Sequence, residues 1–323
     1  MKKYNDPLAL GRADPYIYKH TDGYYYFTAT YPAYDRICIR RAKTINGLTD
    51  AEEKVIWRKH ETGVMASHIW APELHYIDGK WYIYFAAGEH ENIWEIRPYV
   101  LECADADPIG GTWTEMGMMQ ALTPPDGNTI NGYDRYSFTD FSLDMTTFEH
   151  RGRRYCIWAE KVGRRFGISN LYIAEMSAPN KLKTVQVLLT TPDYDWERID
   201  FWVNEGPAVL KHGGKIFVTY SASATGQMYC MGMLTVDENA DLLDPRSWSK
   251  KRYPVLQTDP AKKVFGPGHN SFTVGENGET LCILHYRDYS DEHISGDPLN
   301  NPDRHAHVLE VQFDENGEPV FKL

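Results

Sequence analysis

Helical signal is almost absent from this chain. The one stretch with helical character is Leu48-Thr49-Asp50-Ala51-Glu52-Glu53, where Thr49 or Asp50 could cap a turn, so strands must carry the fold. Cysteine is sparse: Cys38, Cys103, Cys156, Cys230 and Cys282 are odd in number and widely spread, and no Cys-x-x-Cys occurs. They read as buried free thiols, which argues against a structural zinc site. No apolar run approaches the roughly 20 residues of a membrane span. Met1-Lys2-Lys3-Tyr4-Asn5-Asp6-Pro7 leads into no apolar signal-peptide core, so a cytoplasmic location is expected. The net charge is −11 and no block of Lys or Arg interrupts it, which argues against nucleic acid or an anionic membrane as partner and favours a neutral ligand.

Aromatic residues, by contrast, are plentiful at 13%, with 22 Tyr and 9 Trp, which suits a sheet-packing core and a sugar-facing cleft equally. They recur in a pattern. Val203-Asn204-Glu205-Gly206-Pro207-Ala208-Val209-Leu210 leads to a turn at Gly213-Gly214 and on to Lys215-Ile216-Phe217-Val218-Thr219-Tyr220, a β-hairpin by its period-two alternation. Four further copies turn at Gly23, Gly79, Gly152 and Gly278, so the five turns lie 56, 73, 62 and 64 residues apart. Third strands are expected at Ile37-Cys38-Ile39, Val100-Leu101-Glu102-Cys103, Leu171-Tyr172-Ile173-Ala174, Met228 to Val236 and His307 to Phe313. Trp57, Trp113 and Trp248 each follow their turn glycine by 34 residues and mark a fourth, outer strand; the third repeat departs with Trp196 at 44, and the fifth has Gln312 at the shared offset. An all-β, five-bladed β-propeller follows, with residues 1–323 as a single domain. The connection from about Asp105 to Asp140, rich in turn residues, is expected to lie over one face and to wall a cleft.

Counting back eight or nine residues from each turn glycine reaches Asp14, Trp70, Asp144, Glu205 and His269. Equivalent positions on the inner strands converge on the propeller axis, where scaffold demands alone favour small or apolar residues. Singly, each has an ordinary explanation: Asp14 as a turn aspartate before Pro15, Glu205 as an ion-paired strand edge, Trp70 as core, His269 as a structural histidine. Asp140 competes with Asp144 but lies outside the register. Taken together, three carboxylates at one rim are costly as structure and sensible as chemistry. Glycoside hydrolysis needs one carboxylic acid to protonate the leaving oxygen and one carboxylate to act from the opposite face, and a third can hold the acid protonated. Trp70 would then be a platform under a sugar ring, His269 a holder of a metal or its water shell, and Arg287 either a surface ion pair or a side chain reaching the funnel.

Arg12-Ala13-Asp14-Pro15, Ile69-Trp70-Ala71-Pro72-Glu73, Asp144-Met145-Thr146-Thr147-Phe148-Glu149, Asn204-Glu205-Gly206-Pro207 and Gly266-Pro267-Gly268-His269-Asn270-Ser271 together resemble glycoside hydrolase family 43 along the whole chain. The resemblance implies an inverting catalytic propeller with Asp14 as general base, Glu205 as general acid and Asp144 as modulator of the acid. It also implies a hydrated ion, often calcium, on the axis beside His269, and contact of Arg287 with the terminal sugar. The motif context is more similar to the α-L-arabinofuranosidase and exo-arabinanase branch, acting on arabino-oligosaccharides, than to the β-xylosidases. A non-catalytic carbohydrate-binding propeller is the reading of a different class.

Overall fold

Asp78-Gly79, Arg151-Gly152 and Gly213-Gly214 take positive φ at both residues (50° and 87°, 52° and 70°, 58° and 77°). This is the backbone of a two-residue turn whose twist matches that of the strands it joins. The turns connect Ser67–Ile77 to Lys80–Gly88, Ser142–His150 to Arg153–Val162, and Asn204–His212 to Lys215–Ala222. In the first and fifth hairpins, Ala13–Lys19 with Tyr25–Thr30 and Phe265–Val274 with Thr280–Arg287, the loops are longer. They are closed by His20 N–H to Tyr24 O at 3.0 Å and Gly275 N–H to Glu279 O at 2.8 Å. This computed structural model describes residues 3–129, 132, 134–163 and 167–323.

Third strands lie at Arg36–Ala42, Arg97–Cys103, Ile168–Ala178, Cys230–Asp237 and His305–Glu310, giving five antiparallel meanders. The innermost strands touch one another in chain order, and the last returns to the first, so the five sheets close into a propeller. Among the described residues no helix is long and apolar enough to cross a membrane. All five cysteines are buried and free, as expected of small apolar fillers in strands.

The outer strands match the tryptophan offsets in part. Trp57 lies in Lys54–Arg58 and packs on Phe85 of the next blade at 5.2 Å, and Trp113 opens Trp113–Met118. Trp248 immediately precedes Ser249–Lys250. Trp196 sits instead in the short turn Asp195–Glu197 and donates to Arg252 O at 3.0 Å, while the third sheet finishes with Lys181–Leu182 and Val187–Thr190. The expected strand from His307 to Phe313 breaks after Glu310, and Gln312–Phe313 pairs with Pro319–Val320 away from the blade. The outer edge of the fifth sheet is taken by the other end of the chain: Leu8 N–H donates to Ala306 O and Ala306 N–H to Ala9 O, each at 2.8 Å.

The proposed turn at Leu48–Glu53 is displaced. A 3-10 turn covers Asn46–Leu48; Thr49 closes its C-terminal end through its backbone N–H to Asn46 O, and neither Thr49 nor Asp50 is its N-cap, which is Ile45. The connection from Asp105 to Asp140 is less irregular than expected because it contains the strand Trp113–Met118; its residues 130, 131 and 133 lie outside the described set.

Candidate active site

Each inner strand carries a bulge at the same place. Cα partners run Ala13 with Thr30 then Tyr16 with Thr28, Trp70 with Ala86 then Glu73 with Tyr84, and Leu143 with Ala159 then Thr146 with Ile157. The last two blades repeat it as Glu205 with Ser221 then Ala208 with Thr219, and Gly268 with His285 then Ser271 with Ile283. Three residues are thus spanned against two, and the extra residue takes left-handed φ: Asp14 (53°), Ala71 (45°), Asp144 (54°), Gly206 (54°) and His269 (42°). This corrects the register read from the turns. The equivalent ring on the axis is Asp14, Ala71, Asp144, Gly206 and His269, while Trp70 and Glu205 each stand one residue earlier. The slip arises because the longer first and fifth loops add residues between bulge and turn glycine, so a fixed count back does not land on one position. Glycine at position 206 lets the strand pass close to His269, since a Cβ there would stand 3.1 Å from His269 Cγ and press on the ring.

The structure brings Asp14, Asp144, Glu205, His269 and Trp70 onto one cavity of about 690 Å³. Asp14 Oδ1 lies 3.2 Å from His269 Nδ1 and 3.6 Å from Arg304 Nη1, and Asp14 Oδ2 accepts the Thr30 hydroxyl at 2.5 Å. The Asp14 amide donates to His285 Nδ1 at 3.0 Å, and burial holds the His285 ring neutral, its pKa lowered to about 3. Burial also disfavours charge on Asp14 itself. His269 and Arg304 outweigh it and keep the carboxyl well below the ordinary range, so Asp14 is a carboxylate.

Glu205 has the opposite surroundings. Burial and then the Asp144 carboxylate push its pKa well above the usual glutamate value, so it holds its proton near neutrality. Its Oε1 accepts the Tyr229 hydroxyl at 2.9 Å. Asp144 is also raised, chiefly by burial, and its Oδ2 accepts the Gly206 amide at 3.0 Å, fixing the backbone beside Glu205. Burial lowers the His269 pKa, yet the Asp14 and Asp144 carboxylates more than offset it and the net shift is upward. Two carboxyls of one cavity are thereby driven to opposite protonation states.

Trp70, 7% exposed, lines the cavity edge-on to Tyr34 at 5.4 Å, with its indole N–H buried and without a protein partner. Arg287 is placed differently from the sequence expectation. It is buried behind the wall, donating to Asn301 Oδ1 at 3.0 Å and Pro298 O at 2.5 Å, and the guanidinium lining the cavity is that of Arg304. Arg304 lies in a connection just before a third strand, outside the hairpin register, and nothing in its sequence context marks it. Tyr34, Arg287 and Arg304 together pin residues 298–299, which wall the cavity on the Asp14 side. Trp94, Phe201 and Trp202, 51%, 63% and 46% exposed, also line it and stand in loops that carried no repeat signal. Asp291 lines it too: Oδ2 accepts the Gln227 amide at 2.8 Å, and Oδ1 is buried without a protein partner. Asp140 and Phe141, at the end of the long connection, complete this wall.

Two buried carboxylates outside the register hold these walls. Glu160 accepts from the Phe138 amide at 3.1 Å, the Thr139 amide at 3.0 Å and the Trp158 indole at 3.0 Å. Glu197 does the same for the Asp193–Val203 segment that presents Phe201 and Trp202. For a cation, one imidazole flanked by two carboxylates at 3.2 and 3.9 Å is a donor set compatible with a hydrated ion. No direct cage of three His, Cys, Asp or Glu side chains occurs among the described residues.

Residues 4–319 match the family model for glycosyl hydrolases family 43, and the chain belongs to that family. It is 49% identical, over 99% of its length, to an extracellular exo-α-(1→5)-L-arabinofuranosidase of Streptomyces avermitilis, of which it spans 63%. It is 50% identical, over 91% of its length and 85% of the relative's, to a protein of the same name from Streptomyces chartreusis. An α-L-arabinofuranosidase crystal structure from Lactobacillus brevis superposes with a TM-score of 0.89 at 52% identity, covering 99% of this chain and 96% of that one. Both Streptomyces relatives are named extracellular, which overturns the cytoplasmic location expected from the amino-terminal residues.

Proposed function

We propose that the protein is an inverting exo-glycosidase that removes terminal α-L-arabinofuranosyl residues from α-1,5-linked arabino-oligosaccharides. The observation that carries this reading is the opposed ionisation of Asp14 and Glu205 on one cavity. Glu205 gives its proton to the glycosidic oxygen as the C1–O bond breaks. Asp14 takes a proton from the water whose oxygen attacks C1 from the other face. Asp144 keeps Glu205 protonated through its charge and fixes it through the Gly206 amide. Trp70, Arg304 and the rim aromatics surround the sugar with ring faces and donors. The names of relatives near 50% identity support arabinose over xylose, and a purely binding propeller has no use for two carboxyls held in opposite states. Proton NMR of arabinobiose hydrolysis is expected to show the β-anomer of arabinose first. Appearance of the α-anomer would remove Asp14 from the role of base, because inversion needs a water between the two carboxyls, held about 6.5–9.5 Å apart.

A hydrated divalent cation beside His269 is part of the proposal. When bound it would supply a fixed positive charge under the carboxylates, with His269 its protein ligand and water filling most of the shell. Calorimetric titration of calcium into chelator-treated protein should show binding of the wild type that His269→Ala loses. Undiminished binding by the variant would place the ion elsewhere.

A further inference from the structure

We propose that Tyr229 is the positioning residue that decides which oxygen of Glu205 carries the proton. The inference builds on Glu205 as proton donor and extends it to a side chain in another strand connection. The Tyr229 hydroxyl donates to Glu205 Oε1 at 2.9 Å. An oxygen already accepting a phenol proton is a poor site for the acid's own proton, so that proton is assigned to Oε2.

The brace behind this hydroxyl is rigid. Tyr229 is 2% exposed and its ring lies parallel to the His285 ring, with centroids 5.8 Å apart and 6° between planes. His285 in turn accepts the Asp14 amide, so one stack of two rings spans from the base strand to the acid. A Cβ at Gly268 would stand 2.4 Å from Tyr229 Cε1, so the slot exists only because that position is glycine. Packing alone would be served as well by phenylalanine. What the hydroxyl adds is a donor to a carboxyl that must give up a proton in one direction.

Charged and titratable groups around Glu205 are Asp144, His269 and Asp14 besides Tyr229. Asp144 opposes ionisation of Glu205, and the Tyr229 hydroxyl favours it, because a donor binds the carboxylate more strongly than the acid. The two variants therefore move the same group in opposite directions. In protein labelled with carbon-13 at the glutamate carboxyl, with Glu205→Gln assigning the resonance, Tyr229→Phe should raise the Glu205 titration by about one pH unit. Asp144→Asn should lower it. In turnover, Tyr229→Phe should lose about tenfold on arabinobiose, which needs the proton, and less on an activated aryl arabinofuranoside. The alkaline limbs of the pH–rate profiles should follow the titrations.

An unmoved or lowered titration in Tyr229→Phe overturns the proposal, as does an equal loss on both substrates. If Tyr229→Phe does not fold, 3,5-difluorotyrosine at position 229 keeps the ring and strengthens the donor, and the titration must then move down. The titration needs no substrate, so the two readings fail separately. A wild type that turns over no glycoside while the titrations move as stated rejects the hydrolase reading and leaves the brace intact.

Discussion

Glu205→Ala is expected to lower the rate on arabinobiose by about 10²–10⁴-fold and to spare an aryl arabinofuranoside whose leaving group departs without a proton. Asp14→Ala should depress both substrates to a similar degree, because the water in each case loses its base. Added azide should restore part of the Asp14→Ala rate by entering as a small nucleophile from the vacated face. The asymmetry follows from the two environments. Arg304 at 3.6 Å and His269 at 3.2 Å hold Asp14 ionised, while burial beside Asp144 keeps Glu205 protonated. Michaelis–Menten kinetics of the two variants on both substrates decide it. Leaving-group dependence in Asp14→Ala and none in Glu205→Ala would exchange the roles.

Glu197→Ala should be the most damaging change away from the chemistry, at about 3–5 kcal/mol of unfolding free energy. Its carboxylate, 0% exposed, accepts from the Asp193 and Tyr194 amides at 2.7 and 2.8 Å, Asn204 Nδ2 at 3.0 Å and the Tyr220 hydroxyl at 2.8 Å. It also pairs with the Lys250 ammonium, itself 12% exposed, at 2.8 Å. Removing it leaves Lys250 with only Thr191 O and the more distant Asp193 carboxylate, and takes the acceptor from four further donors, each costly to leave unmade. Urea unfolding followed by tryptophan fluorescence measures the loss, and a midpoint within error of the wild type would show that water replaces the carboxylate freely. The same variant should raise KM, because the released segment carries Phe201 and Trp202.

The five hairpins could be read from the sequence because glycine at positive φ and alternating aromatic strands are local demands, visible without the partner strand. Asp14, Asp144 and His269 could be read because polar side chains at a repeated axial position conflict with the scaffold's preference. The one-residue displacement of Glu205 and Trp70 could not, since it depends on loop length and bulge pairing, both properties of two strands together. Arg304 and Arg287 show the same limit. The two guanidiniums lie near the same pinned segment, and only the three-dimensional path of residues 298–304 decides which one reaches the cavity. Glu160 and Glu197 were silent for a further reason: a buried carboxylate satisfied by loop amides looks in sequence like any surface acid.

The seam formed by Leu8 and Ala9 with Ala306 bears on how the molecule comes into being. The residues that shut the ring are separated by nearly the whole chain, and bringing such distant points together costs on the order of 5 kcal/mol of loop-closure entropy if nothing between them is ordered. Four blades, each built from local hairpins, shorten that distance before the last contact is made. On a ribosome adding about 5–20 residues per second, the early edge waits roughly 15–60 s for its partner. Until then the segment around Leu8 and Ala9 has no strand to pair with, and its open edge is the surface at which a nascent ring can pair with the wrong chain.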